Sequence, residues 1–521
     1  MLTSDKVIVQ LIVDQCEKNG IKHIVFSPGS RNAPLAIAFD ENDSFITHVI
    51  HDERSAAFFA LGLAQELKEV VAICCTSGSA VLNYYPAIAE AYYRSIPLLI
   101  LSADRPPHLI NQGDGQTIVQ KDVFKNHVHE SLNLNDQLVS ESEIWEIQTQ
   151  TSKALNRLSS AWKGPVHINI GLDEPLYNTL EKTKNYARTI SEIENDKQLS
   201  PDFCDEAREI LPRSKVLVLC GQMENNERLL RELVLFSDNT NVLVLVENTA
   251  NLQDQQFIHC IDRSLNQFDH NKEEYHPDVL ITIGGAVVSK KIKTFLRNSK
   301  PKHHWRIGAD FPEMNTYSCL SCSLEMTPER FFLELNKLKI EVNKLNYSGL
   351  WKKQDILAKD KIPAVIKELK SLSDLLVFYN LFDYLPDNCV LHMANSSVVR
   401  YCQLFDPIET VRYESNRGTS GIDGSTSTAI GAAIGILFAP DKGSKTREKI
   451  KEGLDDLKDS AKSKWNSLET ETKDKFSKTK ADLKDTVNDL LSDSSYKAEE
   501  TITFLEEKLA ELKKQNAKLQ K

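Results

Sequence analysis

Short apolar runs alternate with amphipathic helical stretches through the first third of this 521-residue chain. Val7, Leu11 and Ile12 recur at helical spacing behind Ser4 and Asp5, which can cap a helix ending near Gly20. His23–Phe26 reads as a short buried strand and Ile46–Ile50 as a second, with Glu53 starting the next helix. Val70–Cys75 and Leu98–Leu101 are further apolar runs, each with turn residues behind it. A helical pattern near 142–161 and a strand at Val166–Ile170 close the segment. This alternation predicts a parallel sheet covered on both faces. Ligands bind at the carboxyl ends of such strands, and the polar motifs fall there, after Phe26, Ile50, Cys75 and Leu101.

A polar stretch, Glu174–Ser200, reads as a connector. The rhythm then resumes with strand candidates at Val216–Leu219, Val242–Val246 and Val279–Ile283. Gly284-Gly285-Ala286 behind the last reads as a tight turn more readily than as a phosphate loop. A third α/β segment begins near Ser373, with a strand around Cys389–His392 and a turn at Ala394–Ser397. The expected fold is α/β: consecutive doubly wound parallel-sheet domains over 1–180, 200–345 and 373–435, the third cut short. A charged tail over 440–521 follows, predicted helical and free of proline from Asp441 onward. Ile502, Leu505, Leu509, Leu512, Asn516 and Leu519 step by three and four, the seam of a short coiled coil or of a lone amphipathic helix.

Charge narrows the function classes. The net charge is −11, and residues 441–521 hold 19 basic against 18 acidic residues, so the acidity lies in residues 1–440. An acidic chain is a poor general binder of nucleic acid. If it takes anionic substrates, it must gather its arginines and lysines locally. Ten scattered cysteines suit a reducing cytoplasm, and Cys319-Leu320-Ser321-Cys322 lacks the second pair that a zinc site needs. No basic, long apolar leader stands at the start, and the run Ala429–Ala439 is short for a bilayer span. Membrane contact by the tail is left open.

The stretch Glu414–Ala433 reads ESNRGTSGIDGSTSTAIGAA. It joins Arg417 to a Gly/Ser/Thr-rich loop and a small-residue helix start, which lets backbone approach a ligand closely and favours anionic groups. Glu53, in His51-Asp52-Glu53-Arg54-Ser55, is either a buried acid–base carboxylate or a glutamate facing a helix dipole.

Taken together, that loop, Ser27-Pro28-Gly29-Ser30-Arg31-Asn32, His51–Ala56, Ala103-Asp104-Arg105-Pro106 and Gln116-Thr117-Ile118 resemble one family. It is the family of thiamine diphosphate-dependent synthases of the menaquinone pathway, and the resemblance covers about residues 1–435. It implies that decarboxylated 2-oxoglutarate is joined to isochorismate with release of carbon dioxide. It implies thiamine diphosphate and Mg²⁺ as cofactors, a homodimer or homotetramer, and a cytoplasmic enzyme. By the same resemblance Glu53 is the cofactor-activating acid, and Ile422, with Gly421 beside it, holds the cofactor bent. Ser30, Arg31, Arg105, Gln116, Lys290, Lys291, Ser396, Arg400 and Arg417 match substrate-binding positions. Both substrates are dianions, which the planar guanidinium fork suits. Lys291 is a departure if arginine is usual there.

The family's metal–diphosphate motif lies after the small-residue helix, where this chain carries other sequence, so no residue is assigned to metal. Gly113-Asp114-Gly115 and Asp423-Gly424 lack the expected context for that motif. Ile436–Pro440 with Lys445–Ile450 is similar to small YtxH-like helical proteins. Three readings follow: a synthase homologue lacking its metal site, two joined sequences, or a non-enzymatic scaffold with a partner helix.

Overall fold

The computed structural model describes residues 1–438 apart from 138–139, 193–196 and 370. The expectations for the tail, its coiled-coil seam included, lie outside the described residues. The outermost pair is antiparallel: β1 (Leu2–Ser4) with β8 (Thr179–Glu181). Between them lie β2 (His23–Phe26), β3 (Ile46–Val49), β4 (Val71–Cys75), β5 (Leu98–Asp104), β6 (Glu130–Asn135) and β7 (Val166–Gly171). They form one parallel sheet in the order β3-β2-β4-β5-β7-β6. β2, β4, β5 and β7 are buried throughout, which is why they read as unbroken apolar runs.

A second parallel sheet contains β9 (Val216–Cys220), β10 (Leu243–Val246), β11 (Val279–Ile283), β12 (His303–Ile307) and β13 (Cys322–Leu324), ordered β10-β9-β11-β12-β13. The chain leaves β9 toward β10 and returns on its other side as β11, so the strand order reverses there. A cavity of about 660 Å³ opens at that reversal, lined among others by Gly284, Lys293, Arg306 and Tyr317. Gly284 is a turn residue, at φ +73°. Gly285 N–H donates to the Gln222 carbonyl (2.8 Å), tying this turn to the loop after β9. The third sheet is a parallel pair, β14 (Val390–Met393) and β15 (Arg412–Ser415).

What joins the third segment to the first is a close helix pair. The helix Glu53–Leu67 starts on Asp52, whose carboxylate accepts from Ser55 N–H at 2.8 Å, and stops at Lys68 in the left-handed region. Its middle, Ala56–Gln65, is buried all round. The helix Ser425–Phe438 packs along it. A Cβ at Gly62 would lie 2.9 Å from Ala432 N and overlap the Thr428 carbonyl; one at Gly431 would overlap the Phe59 carbonyl and lie 3.0 Å from Leu63 N. Glycine at both places lets backbone meet backbone. Successive contacts, Gly424 with Phe58, Thr428 with Gly62 and Gly435 with Glu66, run the same way along both helices, so the pair is parallel.

Buried and half-buried charges cross the same junction. Arg94 donates to Gln65 (2.7 Å) and pairs with Glu414 (3.0 Å); Arg412 pairs with Glu66 and approaches Glu414. Arg94 and Glu414 have side chains only 7% and 6% exposed, so removing either partner leaves a buried charge and costs about 3–5 kcal/mol. Burial pushes the Glu414 carboxyl up, with Arg94 and Arg412 opposing. Glu247, just after β10, is fully buried and accepts from Val288 N–H (2.6 Å) and Ser289 N–H (2.8 Å). Burial pushes its carboxyl up to about 7 despite those donors and the nearby charges of Lys293 and Arg417.

Some local expectations are corrected. Ser4 and Asp5 do not cap the first helix: it starts at Val7 behind Lys6, because Ser4 is committed to β1, opposite Thr179. The helix expected near 142–161 is Glu141–Asn156. β5 continues to Asp104, past the apolar run.

Two outcomes follow from this packing. Gly431→Leu should lower stability by about 3 kcal/mol or more in urea denaturation. Gly115→Ala, where a Cβ meets nothing within 4 Å, should stay within about 0.5 kcal/mol of the parent. Equal effects would contradict the close helix contact. Glu247 has its folded pKa above its unfolded value, so its contribution is full below about pH 4.5 and is lost as pH rises through about 7. Glu247→Gln, neutral at every pH, should therefore show a flatter melting-temperature profile between pH 5 and 8 than the parent. Parallel profiles would refute the assignment.

Candidate active site

The helix pair sets the geometry. Gly424 lies against the Phe58 ring with φ +74°, so a side chain there would be both crowded and strained. Phe58 is five residues into its helix from Glu53, about 7.5 Å along the axis. Parallel packing therefore brings Glu53 and the Gly421–Asp423 turn to the same end of the pair. Asp52 does the capping, which leaves Glu53 free of that role. Glu53 is half-buried, and its charge adds to the burial that holds the protons on Cys75 and Tyr84. Ile422, two residues before Gly424, is 81% exposed.

The loop is held by two buried side chains, Glu90 and Asn395. Glu90, buried on the helix Tyr85–Tyr93, accepts from Gly418 N–H and Thr419 N–H, both at 2.8 Å, and from the Thr419 hydroxyl at 2.9 Å. Asn395 Nδ2 donates to the Asn416 carbonyl (2.6 Å) and to the Gly421 carbonyl. Its Oδ1 accepts from Arg417 Nη1 at 3.1 Å. One buried amide thus ties both ends of the loop to its arginine. Ser425 Oγ and Arg417 Nε are buried with no hydrogen-bond partner among the described residues.

The sequence-predicted residues gather in two sets. In the first segment, Arg31 is buried; its N–H donates to Thr76 Oγ1 (3.3 Å), Nη1 donates to the Leu172 carbonyl (2.9 Å), and Nη2 pairs with Glu174 (3.2 Å). Burial and then the Arg105 charge lower its pKa, with Glu174 opposing. Arg105 pairs with Asp114 at 3.4 Å. Gln116, at φ +54°, packs its backbone on Gly78 of the turn after β4. Ser30 is exposed, next to Arg31. These four lie at the carboxyl ends of β2, β4 and β5.

In the second set Arg417 lies in the third segment's loop, while Lys290 and Lys291 stand on a helix of the central segment. Arg417 is half-buried; burial lowers its pKa, Glu247 and Glu90 oppose, and Arg400 adds to the lowering. Arg400 is exposed on the short helix Ser397–Cys402, and Ser396 precedes it at φ +73°. Lys290 and Lys291 open the helix Lys290–Ser299. Two cations in a first turn oppose the helix dipole, so helix stability does not explain them. Lys291 donates to Asn266 Oδ1 at 2.5 Å.

Sequence reasoning missed Asn395, Glu90, Glu247 and Lys293. Burial lowers the Lys293 pKa, with Glu247 opposing, and the side chain lines the cavity. Asn395 stood in a recognised turn; the other three carried no signal. Burial makes Cys319 and Cys322 hold their protons more tightly than usual, and the Glu206 charge adds to this at Cys322. Among the described residues no group of three or more His, Cys, Asp or Glu is placed to hold a metal ion, and no helix is long and apolar enough to cross a membrane.

Comparison with known proteins now bears on these residues. The family described as "Thiamine pyrophosphate enzyme, N-terminal TPP binding domain" matches residues 7–129, and "Middle domain of thiamine pyrophosphate" matches 175–393. "YtxH-like protein" matches 425–495, beginning at the first residue of the helix Ser425–Phe438. The 2-succinyl-5-enolpyruvyl-6-hydroxy-3-cyclohexene-1-carboxylate synthase of Christiangramia forsetii is 42% identical over 449 residues, 82% of this chain and 77% of that protein. The synthase of Flavobacterium johnsoniae is 42% identical over 434 residues (82% and 76%), and that of Porphyromonas gingivalis 36% over 437 (82% and 75%). With this identity over this share of both chains, the protein belongs to the 2-succinyl-5-enolpyruvyl-6-hydroxy-3-cyclohexene-1-carboxylate synthase family of thiamine pyrophosphate enzymes.

Proposed function

We propose that the enzyme-like part of this chain is built for the family's synthase reaction, in which 2-oxoglutarate is decarboxylated and its remainder joined to isochorismate. The observation that carries the reading is the parallel helix pair, which sets Glu53 and the Gly421–Asp423 turn at one end. Thiamine diphosphate, when bound, supplies the carbanion chemistry that neither side chains nor backbone provide. The residues fit its organic part. Glu53 is a half-buried carboxylate released from capping, able to hold a proton against a ring nitrogen. Ile422 offers an exposed apolar side chain on a loop pinned at both ends. The unpartnered Ser425 hydroxyl and Arg417 Nε suit an anionic group at a helix start.

Arg31, Arg105, Gln116 and Ser30 form one carboxylate-binding set in this reading; Arg417, Arg400, Ser396, Lys290 and Lys291 form the other. Gathering them solves the problem that an acidic chain has with dianions. Residues 1–180, 200–345 and 373–435 serve as pyrimidine-binding, central and diphosphate-binding domains, in a cytoplasmic homodimer or homotetramer. Activity of the chain itself is impaired, because a Lys/Glu/Asp-rich tail stands where the family's Mg²⁺-holding motif would follow. A hard cation needs those oxygen ligands. The YtxH-like match favours a second reading, a joined chain acting as a scaffold with an unrelated tail.

Calorimetry with thiamine diphosphate and Mg²⁺, beside a carbon dioxide release assay with both substrates, separates the readings. The expected result is cofactor affinity at least about tenfold below that of the Flavobacterium johnsoniae relative, about 1.4 kcal/mol, with little turnover. Affinity and turnover equal to the relative's would overturn the impairment. Failure to bind either 2-oxoglutarate or isochorismate, at concentrations that saturate the relative, would overturn the synthase reading and favour the scaffold.

A further inference from the structure

β5 is apolar from Leu98 to Leu101 and then sets Ser102 and Asp104 on one face. With His167 and Asn169 of β7, and Gln120 from the loop after β5, they make one buried polar network. Asn169 is its centre. Its Oδ1 accepts from Ser102 Oγ at 2.7 Å and from Gln120 Nε2 at 2.9 Å. Its Nδ2 donates to Asp104 Oδ2 at 2.8 Å and to Asn133 Oδ1 at 3.4 Å. Two acceptor sites and two N–H groups are all that a side-chain amide has, so its capacity is filled. The Asp104 carboxylate only accepts, which sets the amide's orientation. The Ser102 hydroxyl then donates to Oδ1 and accepts from His167 Nε2 at 2.7 Å. Burial lowers the His167 pKa to about 3, against the charge of Asp122.

The network ends on backbone that carries candidate site residues. Asp104 Oδ1 accepts from Arg105 N–H at 2.8 Å, and burial raises the Asp104 pKa while Asn169, that N–H and the Arg31 charge oppose. Gln120 Nε2 also donates to the Ala103 carbonyl (3.2 Å), and its Oε1 accepts from Gly78 N–H (2.8 Å). Gly78 is the residue on which the Gln116 backbone packs. A parallel sheet covered on both faces is ordinarily filled with apolar side chains, so core packing does not explain five polar ones here.

We propose that Asn169 is a positioning residue for the first carboxylate-binding set, fixing Arg105 through Asp104 and Gln116 through Gln120. The inference rests on the synthase reading, which gives Arg31, Arg105 and Gln116 to a substrate carboxylate. The charged and titratable groups around Asn169 are Asp104 on β5, with Arg31 and Arg105 beside it, His167 on β7, and Asp122, which accepts from Asn133 at 3.3 Å.

Asn169→Asp tests this through pH. With its proton on, the new carboxyl can donate to Asp104 and still accept from Ser102 and Gln120. Without it, two carboxylates face each other, and each raises the other's pKa. Binding of 2-oxoglutarate and of isochorismate to the full chain is measured by calorimetry for the parent, Arg105→Ala, Asn169→Asp and Gln120→Met. Arg105→Ala identifies the ligand that the first set holds. For that ligand Asn169→Asp should stay within about threefold of the parent at about pH 5.5 and bind at least about tenfold more weakly at about pH 8.5. For the other ligand it should match the parent at both. Gln120→Met keeps the Asn169 amide but cuts the link to Gly78, and should weaken the first ligand at either pH.

A ratio of Asn169→Asp to parent that does not change with pH overturns the inference alone. So does an equal loss for both ligands, the mark of a merely structural role. If Asn169→Asp does not fold at the higher pH, Gln120→Met decides, and parent-like binding there overturns the inference. A parent that binds neither ligand, or an Arg105→Ala that weakens neither, overturns the synthase reading and this inference with it.

Discussion

The contact on which the third segment's placement depends is backbone against backbone. Gly62 and Gly431 remove the side chains that would hold the helices Glu53–Leu67 and Ser425–Phe438 apart. Helices ordinarily pack 8–10 Å apart because side chains interdigitate; glycine allows less. Parallel packing then has a chemical consequence. Both N-termini, with their unpaired N–H groups and positive dipole ends, lie on one side. A candidate acid, Glu53, and a glycine-rich turn share that side, although 368 positions separate Glu53 from Gly421 in the chain. Charged pairs at the same junction favour one register: Arg94 and Glu414 have largely buried side chains and would be costly if left unpaired, and the half-buried Arg412 and Glu66 add to them.

Charge is distributed with equal economy. The chain is acidic overall, yet the charge of Arg105 bears on Arg31, and that of Arg400 on Arg417. Like charges set together oppose folding, and burial opposes it further for Arg31 and Arg417. Such groups are held only where carbonyls and carboxylates surround them: the Leu172 carbonyl and Glu174 for Arg31, Asn395 and the fields of Glu247 and Glu90 for Arg417. A carboxylate set beside either pair would offset that repulsion.

Much of the fold was legible because its central strands are buried on both faces and read as unbroken apolar runs. β6, Glu130–Asn135, was not: it is an edge strand with the sequence ESLNLN, and only Leu134 is buried. The first helix cap was misread because Ser4 has a sheet partner 175 residues away, which local pattern cannot reveal. The long helix Tyr347–Glu368 also escaped notice; it buries only Tyr347, Ser348, Trp351 and Ala358 and contains Pro363, so its pattern is weak. The candidate site was legible as motifs, through family resemblance, because loop residues carry distinctive side chains. Its supports were not. Glu90 grips backbone groups 328 and 329 residues away, and a glutamate on a helix looks like any other. Asn395 acts mainly on carbonyls, which have no sequence signature.

Hydrogen exchange under native conditions tests the helix pair most directly. If Gly62 and Gly431 join the helices as described, amides of Ala57–Glu66 and of Thr428–Gly435 open together and share one opening free energy, close to that of β4 and β5. Exchange of 428–435 at the rate of a free peptide, while 57–66 stays protected, would contradict the packing and the placement of the loop that rests on it.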